Sequence, residues 1–322
     1  MSAITVRVPA KVNLQLAVGP LREDGYHDLV NVFHAVSLFD EVTAAEPADG
    51  DAAATPIGIR VEGDHTGGVP VSDDNLAVRA ARALAGRAGR SYRADLVIRK
   101  SIPVAGGMAG GSADAAAALV ACNELWGLGL PVEDLMEIAA DLGSDVPFAL
   151  LGGTAVGTGR GERLAPLETG GVFHWVFALA DGGLSTPRVY GECDRLREEA
   201  GAAAPCPTVS EALLDALRRG DAKALGQALV NDLQPAALAL RPSLADTLAA
   251  GREHGALGAL VSGSGPTCAF LAESAEHAHE LAGLMTDVDG CRAVVTAYGP
   301  VPGASVTGAG AAGAGAAGAG AG

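Results

Sequence analysis

Aromatic side chains make up only 4% of the 322 residues, and basic ones are well outnumbered by acidic ones. There are 22 Lys and Arg against 38 Asp and Glu, a formal charge of -16, and no basic run is longer than two residues. A nucleic-acid-binding face needs clustered cations to displace counterions from phosphates, so no nucleic-acid partner is expected. The five cysteines (Cys122, Cys193, Cys206, Cys268 and Cys291) are scattered and never form a C-x-x-C pair. That spacing argues against a structural zinc site and for reduced thiols in a cytoplasmic protein. No run of 18 apolar residues occurs, and the first residues turn polar too soon for a signal peptide, so no membrane partner is expected. An acidic protein that handles phosphorylated compounds must instead gather cations, backbone N–H groups or a metal at one spot.

What is present suffices for a sizeable core. Hydrophobic residues are 49% of the chain, and its length implies two domains at roughly 100–200 residues each. Ile4, Val6 and Val8, then Val12, Leu14 and Leu16, alternate with the period of half-buried strands, and Val30, Val32, Val36 and Leu38 continue that pattern after a turn at Asp24-Gly25. Residues 49–56 and 62–71 read as loops around a short strand, and Ser72-Asp73-Asp74 as the cap of a helix running to about Ala85. A strand at Ala94–Lys100 precedes a glycine-rich turn, behind which an alanine-rich helix runs from about Ala113 to Trp126. The next helix carries Leu135, Ile138, Ala139 and Leu142 on one face and stops at Gly143. In the second half, Thr186-Pro187 reads as an N-cap followed by proline at the first helical position. Strands are expected at His174–Ala180, on both sides of Gly263–Pro266 and at Arg292–Tyr298, with helices within 209–254 and 275–286. Strands and helices without a regular βαβ rhythm imply an α+β fold. Residues 303–322, mostly Ala and Gly and without charge, cannot bury enough surface to offset their ordering entropy and are expected to be a disordered tail.

The most informative segment is Pro103–Asp114, with Gly106, Gly107, Gly110 and Gly111 between a predicted strand and a predicted helix. Such a turn brings several N–H groups toward one point, and the helix behind it adds its own free donors and the positive end of its dipole. It therefore reads either as an anion cradle or as a turn tightened for packing. Ser112 stands where a Walker loop would need lysine, and the glycines cannot be laid on G-x-G-x-x-G, so both common nucleotide motifs fail.

Other residues carry weaker signals. Lys11 lies inside a strand-like alternation, either as a functional cation or as a snorkelling surface residue. Asp145 sits in a sharp turn before Pro147, as a reactive carboxylate or as a helix cap. Tyr26 and His27 follow a turn; Gly263-Ser264-Gly265-Pro266 reads as a plain turn or as a source of backbone donors. His277 and His279 point to different faces of one helix, which disfavours a metal pair.

Taken together, Pro9-Ala10-Lys11-Val12-Asn13, the Pro103–Asp114 loop and Gly263-Ser264-Gly265-Pro266 resemble the GHMP kinase superfamily, which includes galactokinase, homoserine kinase and mevalonate kinase. Arg22-Glu23-Asp24-Gly25-Tyr26-His27 and Leu142–Phe148 resemble the branch whose acceptor carries cytidine, and the likeness spans about residues 3–299. The resemblance implies a two-domain α+β kinase fold, with an N-terminal mixed sheet, a smaller ferredoxin-like C-terminal domain and the active site in the cleft between them. Its expected boundaries are 1–163, 164–302 and a tail at 303–322. It implies ATP and Mg²⁺ as cofactors, 4-diphosphocytidyl-2-C-methyl-D-erythritol as the small-molecule acceptor, and a monomer or weak homodimer.

The resemblance also implies roles for individual residues. Lys11 and Asp145 match the catalytic pair. Pro103, Val104, Ala105, Gly106, Gly107, Met108, Ala109, Gly110, Gly111, Ser112 and Ala113 match the nucleotide loop, with Ser112 also toward the metal. Ala105 and Ala109 stand where glycine is common, and Ala113 where a second serine is frequent. Asn13, Tyr26, His27, Thr186, Pro187 and Tyr190 match acceptor-binding positions, Tyr190 replacing a more usual phenylalanine. Kinases of small acids on the same fold have no need of the Tyr26-His27 element, and a catalytically silent sensor would not need both Lys11 and Asp145.

Overall fold

The computed structural model describes residues 2–47, 56–64, 66–104 and 106–307. Most of the loop expected at 49–56, Ala105 and the chain beyond 307 lie outside the described residues.

Two strands of 19 residues each, β1 (Ala3–Leu21) and β2 (His27–Ala45), form one long antiparallel hairpin. β3 (Ile57–Gly63) crosses over through helix α1 (Leu76–Arg87) to a parallel neighbour, β4 (Ala94–Lys100). Three helices follow, α2 (Gly110–Leu125), α3 (Val132–Leu142) and α4 (Val146–Leu151), and then the hairpin of β5 (Thr154–Gly159) and β6 (Arg163–Leu167). The second half runs β7 (Phe173–Ala180), α5 (Thr186–Glu199), α6 (Glu211–Arg219), α7 (Ala222–Ala228), β8 (Val230–Asn231), α8 (Gln234–Leu240) and α9 (Ser243–Glu253). It ends with β9 (Gly258–Val261), β10 (Cys268–Ala272), α10 (Ala275–Met285), β11 (Cys291–Gly299) and the short β12 (Ser305–Thr307).

The first sheet has the order β12-β1-β2-β4-β3, with β5 and β8 added on β2 and β1 and β6 on β5; it is mixed. The second, β11-β7-β10-β9, is antiparallel. In chain order its strands lie fourth, first, third, second, which is the ferredoxin-like arrangement, and the α+β expectation holds.

Helix α2 is the centre of the first half. Ala113, Ala115, Ala116, Ala117, Ala118 and Ala121 are all buried, so the helix is apolar around most of its circumference and lies inside the protein. Their small side chains let it approach the sheet closely. Its first turn is built from Gly110, Gly111 and Ser112, so the helix begins earlier than the alanine run suggests. The few aromatic residues serve mostly as packing: Trp175, Phe33, Phe148, Phe173, Phe177 and Phe270 are fully buried.

Four expectations change. β6 pairs with β5 in the first sheet, so a boundary at 163 would split a hairpin; the second sheet starts at Phe173. The chain does not leave the fold at 303, because Ser305–Thr307 pairs with β1 and Ala304 N–H bonds to Ala149 O. Asn75, not Ser72-Asp73-Asp74, caps α1, its Oδ1 accepting from Ala77 N at 2.9 Å. Ser185, not Thr186, is the N-cap of α5. Among the described residues no helix is long and apolar enough to cross a membrane.

Candidate active site

Alternation along β1 fails at its middle in an informative way. Val12 and Leu14 enter the core as expected, but the opposite-facing Lys11, Asn13 and Gln15 are buried as well. Register shifts between β1 and β2 lie on both sides of the Lys11–Asn13 stretch, a common device for re-aiming side chains near a site. Lys11 Nζ donates to Asn13 Oδ1 at 2.6 Å and to Gly107 O at 2.9 Å, and lies 3.8 Å from Asp145 Oδ2. Burial lowers the Lys11 pKa, while the Asp145 carboxylate acts in the opposite direction. Asn13 is held in turn, donating to Asn31 Oδ1 at 2.7 Å.

Asp145 occupies the N-cap position of α4, but its side chain makes no capping hydrogen bond. The capping role is therefore set aside, and the carboxylate is left to face Lys11 in the cleft.

The glycine loop meets this pair directly. Gly107 has φ 75, and a Cβ there would fall 1.9 Å from Ser262 O, so only glycine fits where the loop meets the β9–β10 turn. From the other side, Ser262 Oγ donates to Gly107 O at 3.2 Å. Gly263 has φ 56, and a Cβ there would lie 3.3 Å from Lys11 Nζ and 3.2 Å from Gly107 O, so a side chain at this turn would be strained and tightly placed. Ala109, the N-cap of α2, has φ 60 and gives the helix no side-chain cap. Among the described residues no side chain caps the N–H groups of Gly110, Gly111 and Ser112, which stand at the positive end of a 16-residue helix where an anion would be received. Ala113 N is already used, bonding Ala109 O at 2.9 Å.

A single cleft of about 730 Å³ takes in Lys11, Asn13, Asp145, Gly106, Gly107, Ala109, Gly110, Gly111, Ser112 and Pro103. It extends to Tyr26, His27, Thr186, Pro187 and Tyr190. His27 Nε2 bonds both carboxylate oxygens of Asp194, at 3.0 and 3.1 Å, and its ring stacks on Tyr190 at 5.1 Å. Burial first, then the Asp145 charge, raises the Tyr190 pKa, so the phenol stays protonated. Tyr26 is 52% exposed on the rim. Thr186 Oγ1 and Ser264 Oγ lie 2.9 Å apart, joining α5 to the β9–β10 turn. Val104, Met108 and Ala113 do not line the cleft; Met108 and Ala113 are buried in the core.

Sequence reasoning missed Asn31, Asp194, Arg160 and the buried cluster of Lys100 with Asp40 and Asp114 beneath the loop. Only an isolated Arg between two glycines hinted at Arg160, and nothing local marked the others.

Among the described residues no three His, Cys, Asp or Glu side chains are grouped to hold a metal. At the start of α2 the cleft offers the Ser112 hydroxyl, with the donor's phosphates expected beside it. That set fits Mg²⁺, which takes one or two protein oxygens and completes its shell with phosphate and water; it does not fit an all-protein cage.

Two family models match the chain: "GHMP kinases N terminal domain" over residues 75–153 and "GHMP kinases C terminal" over 213–287. A 4-diphosphocytidyl-2-C-methyl-D-erythritol kinase of Thermobifida fusca is 63% identical over 308 residues, covering 95% of this chain and 98% of its own. The protein of the same name from Streptomyces coelicolor is 61% identical, covering 94% and 99%. A crystal structure of 4-(cytidine 5'-diphospho)-2C-methyl-D-erythritol kinase superposes with a TM-score of 0.71 at 33% identity, covering 91% of this chain and 98% of that one. Homoserine kinase from Cytophaga hutchinsonii gives the same TM-score at 20% identity, a likeness of fold alone.

Proposed function

Because the chain belongs to the GHMP kinases, an ATP-dependent family, we propose that it transfers the γ-phosphoryl group of ATP to the 2-hydroxyl of 4-diphosphocytidyl-2-C-methyl-D-erythritol. This reaction is a step of the non-mevalonate route to isoprenoid precursors. The observation that carries it is one cleft in which the Lys11–Asp145 pair, 3.8 Å apart, lies between an uncapped helix start and the Tyr26, His27 and Tyr190 rings.

Phosphoryl transfer depends mainly on positioning and charge stabilisation, because its transition state is loose. The acceptor oxygen forms a bond to the γ-phosphorus as the bond to the ADP oxygen breaks, and the hydroxyl proton passes to Asp145. Lys11, fixed by Asn13 and Gly107 O, offsets charge on the transferring group. The N–H groups of Gly110, Gly111 and Ser112 receive the donor's phosphates. Ser112 would hold Mg²⁺, which neutralises phosphate charge when bound. His27, pinned by Asp194, reads the edge of the base, and Tyr26 and Tyr190 supply ring faces.

A substrate panel tests this reading. The cytidylyl alcohol should turn over, and homoserine and mevalonate should not; turnover of either acid in preference to the cytidylyl alcohol would reassign the cleft. Asp145→Asn should lower kcat by about 10²–10⁴ with ATP still bound, the range for losing a general base. Near-normal turnover would remove Asp145 from the proton transfer.

A further inference from the structure

The proposed acceptor has a base at one end, a reacting hydroxyl at the other, and a diphosphate between them. The glycine loop serves the phosphates of the donor, so the acceptor's own diphosphate still needs a cation. The chain is strongly acidic, and the cleft places Asp194 at the base end and Asp145 at the hydroxyl end.

Among the described residues three cationic or potentially cationic side chains line the cleft: Lys11, His27 and Arg160. Lys11, beside Asp145 and the loop, is assigned to the transferring phosphoryl group, and His27 bonds Asp194. Arg160 has no carboxylate partner among the described residues. Its guanidinium makes only a long contact, Nη2 to Ala140 O at 3.5 Å, and its Cζ lies 5.1 Å from the Tyr26 ring centroid.

Arg160 lies where the wall of the cleft meets both the Asp145 segment and Tyr26. It occupies the β5–β6 turn, where its backbone N–H donates to Glu162 Oε2 at 2.7 Å. The next residue, Gly161, approaches Ser144, the neighbour of Asp145 in sequence, with 4.0 Å between a Cβ built at 161 and Ser144 Cβ. The turn thus rests against the Asp145 segment while its side chain reaches to Tyr26.

We infer that Arg160 is a specificity-determining residue that clamps the diphosphate of the acceptor. A guanidinium meets phosphate oxygens through two parallel N–H donors, which fixes orientation as well as charge. Stacked on Tyr26, it waits at the cleft edge with no ion pair to break before it turns to the ligand. The assignment rests on the acceptor named above, and the test separates the two.

Cytidine and CDP are titrated as competitors against the wild-type protein, Arg160→Gln and Arg160→Lys, each with the nucleotide loop saturated by a nonhydrolysable ATP analogue. Wild type should prefer CDP over cytidine. Arg160→Gln should lose about 10- to 100-fold of that preference, the size of a charge-assisted hydrogen bond, with cytidine affinity, KM for ATP and melting temperature unchanged. Arg160→Lys should recover part of it. An unchanged CDP-to-cytidine ratio in Arg160→Gln overturns the clamp, as does an equal loss for both ligands, which would make the residue a stacking partner of Tyr26 only. A wild type that binds CDP but does not phosphorylate the cytidylyl alcohol would overturn the proposed reaction and leave the ratio to judge Arg160 by itself.

Discussion

Two buried lysines flank the glycine loop. Lys11 reaches Gly107 O from the cleft side; Lys100 lies beneath the start of α2, its Nζ 3.1 Å from where a Cβ on Gly110 would stand. Lys11 has two neutral acceptors in hydrogen-bond range and one carboxylate farther off, at 3.8 Å. Lys100 is in direct contact with two carboxylates, Asp40 and, at 2.9 Å, Asp114. Burial by itself would lower the pKa of each. It prevails at Lys11, whereas the carboxylates of Asp114 and Asp40 prevail at Lys100 and raise it. A lysine with too little countercharge can still accept an incoming phosphate. One with a surplus is already satisfied and acts as a bolt, here between β2, β4 and α2. Asp40 extends that bolt, accepting from the N–H groups of Ser101 and Ile102 at 2.6 and 2.9 Å, where the loop leaves β4.

The contrast predicts opposite outcomes for one substitution. Lys11→Met should lower kcat by about 10²–10³, as expected for losing a transition-state charge partner, and leave the denaturation midpoint nearly unchanged. Lys100→Met leaves the buried Asp40–Asp114 pair without its cation and should destabilise by about 3–5 kcal/mol, with kcat retained in the folded fraction. Urea unfolding and steady-state kinetics on both variants decide it. A Lys100→Met enzyme that unfolds normally but has lost kcat would reverse the two roles.

The surplus charge around Lys100 makes a smaller, pH-dependent prediction. Burial first, and the neighbouring Asp40 among the charges, push Asp114 from 3.8 up to about 8, so the cluster holds a proton at neutral pH. A pKa raised in the folded state contributes stability that is complete below 3.8 and is lost as pH rises through about 8. Asp114→Asn mimics the protonated acid and should remove that slope. The difference in stability between wild type and variant, measured from pH 4 to 9, should therefore shift in favour of Asn as pH rises. A constant difference would mean that Asp114 stays ionised throughout and that Lys100 serves both carboxylates as ions.

How far all this could be read from sequence depends on where the partners lie. Local patterns indicated most strands and helices, and motif likeness brought together Lys11, Asp145, the loop and the Tyr26-His27 pair. The polar face of β1 looked like solvent exposure, because alternation cannot distinguish a wet face from one covered by distant segments, here the glycine loop and residues 208–210. Asp40, Lys100 and Asp114 sit on three separate elements, and in sequence each passes for a surface charge. Arg160 was hidden for the same reason, since its role arises only when a hairpin turn is laid against Tyr26. The tail was misjudged at its start because Ser305–Thr307 pairs with β1 and Val306 packs against the first core, contacts with a distant element that the Ala/Gly composition around them does not show.

The smallest prediction concerns the residue between the two lysines. Ala109 adopts φ 60, ψ 31, a left-handed conformation that costs an L-residue about 1–2 kcal/mol. The surroundings impose it: Lys11 Nζ holds Gly107 O, Lys11 N–H bonds Met108 O at 3.3 Å, and Lys100 sits under Gly110. Ala109→Gly relieves that strain but gives the unfolded chain more freedom, worth about 0.4–1 kcal/mol in the other direction. The net should be a gain of about 0.5–1 kcal/mol, with kcat unchanged because every N–H of the loop is kept. In a Lys100→Met background the gain should shrink, since a loop freed from below can relax residue 109 without help. An undiminished gain there would place the whole constraint on the Lys11 side, and the bolt beneath α2 would then support the helix without shaping the loop.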